Sequence, residues 1–490
     1  MSDRAVVVGA GLGGLSAACH LRARGWEVDV VERASQPGGR AGRVTRNGYC
    51  FDTGPTVMTM PEFLADAFHA IGADMDDFVT MQRLDPAYRA VFDDGSELRV
   101  RAERSDMLGE VERVCGREEA AAFERYCKWL TSLHVLETPG FLDRNYDGPL
   151  DLVRPLGPAL RLLRLGGLRR LRATVDRAFG DERLRRLFSF QSLYAGVTPQ
   201  QALSLLAVIS YMDVVAGVWA VEGGMHAIPT ALATAAEKAG VRFHFGVNVE
   251  RIALANGDRG PVRAVVADHD VLPADAVVVN ADIPAAYGLV PGLRRPSRLR
   301  RHRYAPSAVV WHVGLRGSPS DAAAHHNIHF GRAWHSGFRA LVHDGVRMPD
   351  PSILVSVPTV TSPDLAPPRG SVLYALEPVP NLEGRVDWAT ARASIREDLE
   401  HRLVADGYLS GEIEEELLVD PVDWARMGLV AGTPFSLSHT FLQSGPFRPR
   451  NVEPRAPGLV FAGSGTVPGV GVPMVLLSGK LAAERIGRPE

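Results

Sequence analysis

The sequence predicts an α/β protein, in which a discontinuous Rossmann-type dinucleotide-binding domain carries an inserted α+β domain. Three observations predict it. The apolar run Val6–Val8 enters Gly9-Ala10-Gly11, Gly14 follows, and the acid Glu32 stands twenty-one residues after Gly11. Near the other end, Leu459–Ala462 enters a second glycine-rich turn and then the helix-like stretch Met474–Arg485. Between them, Val241–Phe245, Val247–Ile252, Val262–Ala267 and Ala276–Ala281 read as short strands that return the chain to the first domain. The dinucleotide domain therefore takes residues 1–85, 216–290 and 420–490, and the inserted substrate domain takes 86–215 and 291–419.

In the first unit Gly9 makes the tight turn, and Gly11 lets the backbone approach a pyrophosphate. Gly14 lets a helix over residues 14–24 pack close to the strand, with its N-terminus facing the anion. The second strand, Glu27–Val31, delivers Glu32 where a carboxylate accepts both ribose hydroxyls, with Arg33 beside it. Strand, turn, helix, strand and acid in register are far more specific than the glycine triplet alone.

The next residues favour FAD over NAD. Gly38-Gly39 permits close backbone approach, and Arg40 and Arg43 can neutralise phosphate or flank a flavin. A further glycine-proline turn, Gly54-Pro55, follows the strand-like Phe51–Asp52, and a backbone edge near Val249 can pair with adenine. In the C-terminal turn, Gly463, Gly465, Thr466, Gly471, Val472 and Pro473 lead into a helix whose N-terminus stabilises negative charge, including that of a reduced flavin. No second strand–glycine turn–helix unit is found, which points to oxygen or a quinone as electron acceptor.

The remaining elements are read in order. Helices are expected near Pro61–Ile71 and Arg104–Leu133, and a hairpin near Tyr88–Arg101 turning at Asp94-Gly95. Residues 150–190 read as helical and basic. Seven arginines from Arg154 to Arg177 are interleaved with Leu160, Leu162, Leu163, Leu165, Leu168 and Leu171, and the pattern breaks at Gly166-Gly167. This amphipathic pattern suits an anionic lipid surface; the plainer alternative is a solvated face in an arginine-rich chain. Residues 203–221 are apolar all round except Asp213, and read as a buried helix and then a strand, or as the lining of an apolar cavity. Ala308–Val313, Ile353–Val357 and Val372–Pro378 read as strands, and Trp388–Asp406 as an amphipathic helix.

Composition narrows the function classes. The chain has 490 residues, is 46% hydrophobic and 23% charged, and carries a net charge of −3, which gives it no general attraction for nucleic acid. Four scattered cysteines suggest no disulfide framework and fit a reducing cytoplasm. The N-terminus begins a core strand at once, and no apolar run long enough to span a bilayer stands out, so any membrane contact is expected to be peripheral. His325, His326 and His329 lack a completing thiol or carboxylate at a familiar spacing, and no metal is expected. No Gly-x-Ser-x-Gly elbow supports a hydrolase.

Taken together, Val6–Gly14, Pro37–Arg43, Phe51–Met60, Phe188–Gly196, Gly217–Pro229, Ser362–Pro367, Gly445–Asn451 and Gly463–Lys480 make the chain resemble the bacterial carotenoid desaturases, within the FAD-dependent amine-oxidase-like superfamily. The resemblance runs from end to end. It implies a peripheral flavoenzyme on the cytoplasmic face of the cell membrane that desaturates the polyene precursor phytoene toward neurosporene and lycopene. The family's Asp-x-x-Arg pair would fall at Asp151 and Arg154, as catalytic residues. Ser464 and Met474 depart from the family's usual residues near the expected flavin face. Rival readings are a desaturase, ketolase or isomerase of another polyene, an amine or amino-acid oxidase, and a prenyl-binding escort without a redox cofactor.

Overall fold

Five parallel strands form the first sheet, in the order Leu459–Phe461, Ala276–Val279, Arg4–Val8, Glu27–Glu32, Arg242–Phe245. The computed structural model describes residues 3–152, 156–268 and 270–489. The central strands are nearly continuous valine, as a sheet buried on both faces requires. The helix Leu12–Ala23 covers one face and packs directly on the last helix, Val472–Ile486. A Cβ on Gly479 would sit 2.3 Å from the Gly13 carbonyl oxygen, and Ser16 Oγ donates to Leu476 O at 2.7 Å. This close helix pair is what brings the two chain ends to one site.

A second sheet of seven strands runs in the order Glu412–Val419, Ser307–Arg316, Gly370–Val379, Ile353–Ser356, His326–His329, Tyr88–Val91, Glu97–Val100. It is antiparallel except where His326–His329 pairs in parallel with Tyr88–Val91. Helix Trp388–Ala405 seals one face through Ile395, Leu399 and Leu403. The helical residues 104–216 gather around an aromatic cluster of Phe123, Tyr126, Phe179 and Phe188, whose ring centroids lie 5.0–5.9 Å apart.

Several elements differ from the sequence reading. The helix expected over 104–133 is two, Arg104–Cys115 and Arg117–Glu137, because Gly116 takes φ 95°. Among its described residues the basic segment holds three α-helices, Leu156–Arg164, Leu171–Ala178 and Glu182–Leu187, separated at Gly166-Gly167 and Phe179-Gly180. The apolar stretch 203–221 is not one helix. It runs as 3-10 turn Ser204–Ala207, α-turn Val208–Tyr211 and π-turn Met212–Ala216, and only then as strand Trp219–Val221.

Candidate functional site: a dinucleotide cradle between the chain ends

The first glycine turn is fixed by backbone contacts. Gly9 N–H donates to Val31 O at 2.8 Å with φ 99°, and a Cβ on Gly14 would lie 2.0 Å from Gly9 O. Gly11 caps the following helix with no side-chain partner, so the first amides stay available to an anion. Glu32 closes the turn: its Oε2 accepts Ala10 N–H at 2.7 Å and its Oε1 accepts Ala34 N–H at 2.9 Å. Both oxygens keep further lone pairs, the arrangement a vicinal diol needs. We expect Gly14→Ala to push the helix off the strand and to leave purified protein without bound flavin, read from its visible absorbance; a flavin-replete Gly14→Ala protein would contradict this geometry.

The second glycine pair lies against the first. Gly38 N–H donates to Ala10 O at 2.9 Å, and Gly39 approaches the Gly11 Cα so that a Cβ would be 3.3 Å away. Arg40 then spans the cleft. Its Nη1 donates to Ser464 Oγ at 2.7 Å and Pro434 O at 2.9 Å, and its Nη2 meets Asp282 Oδ1 at 3.2 Å. The serine that departs from the family pattern therefore anchors an arginine of the N-terminal turn. Gly54 presses on Arg40, with a Cβ position 2.0 Å from its carbonyl oxygen, and Pro55 continues the turn. Arg33 donates to Met427 O at 2.5 Å. Val249 opens the strand Val249–Leu254, and the loop before it is tied to the acid's own strand, Val247 N–H to Glu32 O at 3.0 Å.

The C-terminal turn comes off strand Leu459–Phe461. Gly463, Gly465 and Thr466 form its first bend, and Gly471 caps the last helix, again without a side-chain partner, with Val472 and Pro473 in its first turn. Two residues whose roles the sequence did not disclose organise it. Asn280, at the end of strand Ala276–Val279, presents its side-chain amide to three glycines: a Cβ on Gly11, Gly13 or Gly463 would lie 2.8 Å from its Oδ1 or Nδ2. Arg448 is fully buried and donates to four carbonyls, Ser464 O at 2.5 Å, Thr466 O at 2.9 Å, Gln443 O at 3.1 Å and Leu437 O at 3.3 Å. Burial draws its pKa down to about 9, so it remains a cation at neutral pH.

Asp151 is buried in the turn Pro149–Leu152, where its Oδ2 accepts Asp147 N–H at 2.7 Å and Gly148 N–H at 3.0 Å. Arg154, its expected companion, lies outside the described residues. Beside the cradle, Asp52, Thr56, Met225, His312, His325 and Tyr374 line a small cavity against the seven-stranded sheet. His325, on its lining, and the adjacent His326 do not share one partner: His325 Nδ1 meets Thr361 Oγ1, while His326 Nδ1 faces Thr56 Oγ1 at 3.4 Å. Burial pushes His312 and His326 down to about 3, so both are neutral.

The glycine cradle, two uncapped helix N-termini and a diol-ready carboxylate fit a dinucleotide spanning both ends of the chain. The model of the flavin containing amine oxidoreductases matches residues 12–487. The phytoene dehydrogenase of Streptomyces griseus is 49% identical over 494 residues, covering 99% of this chain and 96% of that protein. The chain belongs to the carotenoid desaturase family of flavin-containing amine oxidoreductases. A second family member, the zeta-carotene-forming phytoene desaturase of Myxococcus xanthus, is 38% identical, covering 99% of this chain and 93% of its own length. Among solved structures, cyclohexylamine oxidase from Brevibacterium oxydans shares the fold with a TM-score of 0.62 at 17% identity, each chain covered to 99%. Like other members of the family, this desaturase-like chain is an FAD-dependent oxidoreductase.

Proposed function

We propose that the protein desaturates phytoene stepwise toward neurosporene and lycopene, while docked on the cytoplasmic face of the cell membrane. The full-length similarity to two enzymes named for phytoene carries the substrate assignment. When bound, FAD supplies the hydride acceptor, and oxygen or a bilayer quinone takes the electrons away. The turn of Gly9, Gly11 and Gly14 holds the pyrophosphate, Glu32 the ribose, and the backbone near Val249 the adenine. Gly39 and Gly54 give close approach, with Arg40 between them and Arg33 at the nucleotide rim. Gly463, Gly465, Thr466, Gly471, Val472 and Pro473 face the flavin. Asp151 shapes the turn that leads to Arg154, the pair assigned to flank it. The protein's further work is to align the polyene and exclude water.

A C40 hydrocarbon gains on the order of 30 kcal/mol by leaving water, at about 0.8 kcal/mol per carbon. Such a substrate stays in the bilayer and must be collected there. Exposed apolar side chains support this reading. On helix Leu156–Arg164, Leu156, Leu160 and Leu163 are exposed at helical spacing, with Arg161 and Arg164 also exposed, and Leu150, Leu168 and Val135 add to the apolar surface of this region. Exposed Phe441 and Leu442 extend it, because the turns Phe441–Gln443, Gly445–Phe447 and Pro149–Leu152 pack in series. Among the described residues no helix is long and apolar enough to cross a membrane.

Replacing Leu156, Leu160 and Leu163 together by serine is expected to lower binding to anionic vesicles at least about 100-fold, given about 1 kcal/mol or more lost per leucine. Unchanged co-sedimentation would remove this helix from the docking surface. The desaturase reading itself is tested by expressing the chain in a carotenoid-free host that makes phytoene. Coloured, more conjugated carotenes support it; oxygenated or merely isomerised products would assign it to another polyene reaction.

A further inference from the structure

A groove of about 290 Å³ opens beside strand Leu459–Phe461. Its floor is apolar: Ile283 and Tyr287 from the helix Ile283–Gly288, Leu299 from the turn Ser297–Arg301, and Phe461. Arg450 and Arg455 stand in its wall. Glu453, also in the wall, is buried and fully engaged. Its Oε1 accepts Arg455 Nε–H at 2.7 Å, and its Oε2 accepts Arg455 Nη2–H at 2.9 Å and Tyr287 Oη–H at 2.6 Å. That pair cancels its own charge and fixes the Arg455 fork. Arg450 is half-buried, and among the described residues no acid pairs with it.

The surroundings are strongly basic. The segment Arg294–Arg303 holds six arginines and no acid. Pro296 and Leu299 of this segment line the groove, and Arg455 Nη2 donates to Arg294 O at 2.9 Å. Arg294, Arg301 and Arg303 are exposed, and among the described residues no carboxylate pairs with them. An apolar floor below unpaired guanidinium groups fits a ligand with an anionic head and a hydrocarbon tail. The volume holds a head group and the start of one chain, and is too small for a C40 polyene.

The groove adjoins the apolar side chains assigned above to the bilayer. Arg450 Nη2 lies 3.9 Å from where a Cβ on Gly148 would stand, two residues before exposed Leu150. Arg303 N–H donates to Gln443 Oε1 at 2.7 Å, and Gln443 Nε2 donates to Arg303 O at 2.9 Å. Gln443 belongs to the turn Phe441–Gln443, which carries exposed Phe441 and Leu442. The wall is also joined to the C-terminal turn. Thr466 Oγ1 donates to Pro449 O at 2.7 Å, and Ile283, Leu299 and Pro449 line a narrower pocket that reaches Gly465. A ligand in the groove therefore braces that turn.

We propose that this groove binds one anionic phospholipid of the membrane on which the protein docks. Arg450 takes the phosphate, the arginines of segment 294–303 surround it, and the floor takes the glycerol and the start of one chain. The inference rests on the membrane-docking reading above and names the lipid that docking recruits.

The test uses FAD-loaded protein and dihexanoyl phosphatidylglycerol below its micelle-forming concentration, so that single lipids are offered without a surface. Dihexanoyl phosphatidylcholine and inorganic phosphate at equal ionic strength are the comparisons. Wild type should bind the phosphatidylglycerol saturably, and its melting temperature should rise with occupancy. Arg450→Gln should bind it at least about 10-fold more weakly, while melting like wild type in its absence. Arg161→Gln, which removes the same charge from helix Leu156–Arg164, should bind it as wild type does. A photoreactive phosphatidylglycerol should label residues 449–455 of wild type, a readout that needs no variant. Unchanged binding by Arg450→Gln, or labelling confined to other segments, would overturn the site. So would phosphate that competes as well as the lipid, which marks a plain anion site, or equal binding of phosphatidylcholine, which marks a groove blind to the head group. A wild type that sediments with phosphatidylglycerol vesicles yet ignores the single lipid would overturn this site and leave the docking surface standing. A wild type that does neither would remove the docking reading and this site with it.

Discussion

Glu32→Ala is expected to yield a folded protein that has lost its yellow colour. The acid stands at the end of a buried parallel strand, and its two oxygens are already aimed by Ala10 N–H and Ala34 N–H. Removing it takes away both acceptors for the ribose and leaves those two amides without a partner. Hydrogen bonds to a charged group contribute about 1.5–3 kcal/mol each. Two of them correspond to a loss of FAD affinity of about 100- to 10,000-fold. Titration of apoprotein with FAD, followed by quenching of flavin fluorescence, measures it. Glu32→Gln keeps the shape and should retain more affinity than alanine. Unchanged FAD binding by Glu32→Ala would mean that the nucleotide lies elsewhere.

Arg448→Met is expected to have the largest effect on stability. Its guanidinium is the common donor for four carbonyls that belong to the loop 437–443 and the turn 463–466. Methionine fills part of the volume but satisfies none of them. Breaking a buried charged network of this kind costs about 3–5 kcal/mol. The turn that Arg448 holds is the one assigned to the flavin, so FAD affinity should fall with the melting temperature. Arg448→Lys keeps the charge but lacks the planar fork, and should fall between the two. A melting curve for Arg448→Met equal to that of wild type would show that the four carbonyls find other donors.

These two residues also show how far the sequence could be read. Glu32 was legible because its chemistry is encoded locally: strand, glycine turn, helix and acid follow in fixed order. Arg448 and Asn280 were not. Arg448 lies in a stretch that helped mark the family, yet its partners are fixed by how two loops fold back on each other. Asn280 follows an ordinary valine strand, and only its place among Gly11, Gly13 and Gly463 gives it meaning. Ser464 was noticed as a departure, but its bond to Arg40 spans nearly the whole chain. The exposed leucines were visible as a pattern. Which of them face solvent was not, since Leu162 and Leu171 point into the core while Leu160 and Leu163 point out. The π-turn at Met212–Ala216 escaped because a uniformly apolar stretch has no periodicity to betray a change of helix type.

The account depends on a flavin reduced by a hydrocarbon rather than by an amine. Its most direct test mixes the FAD-loaded protein, without oxygen, with liposomes that contain phytoene and monitors the flavin and carotene absorbance together. The account predicts that flavin bleaching and the appearance of more conjugated carotene proceed in step, one flavin reduced for each double bond formed. A flavin that stays oxidised with phytoene but bleaches with a small primary amine would contradict it.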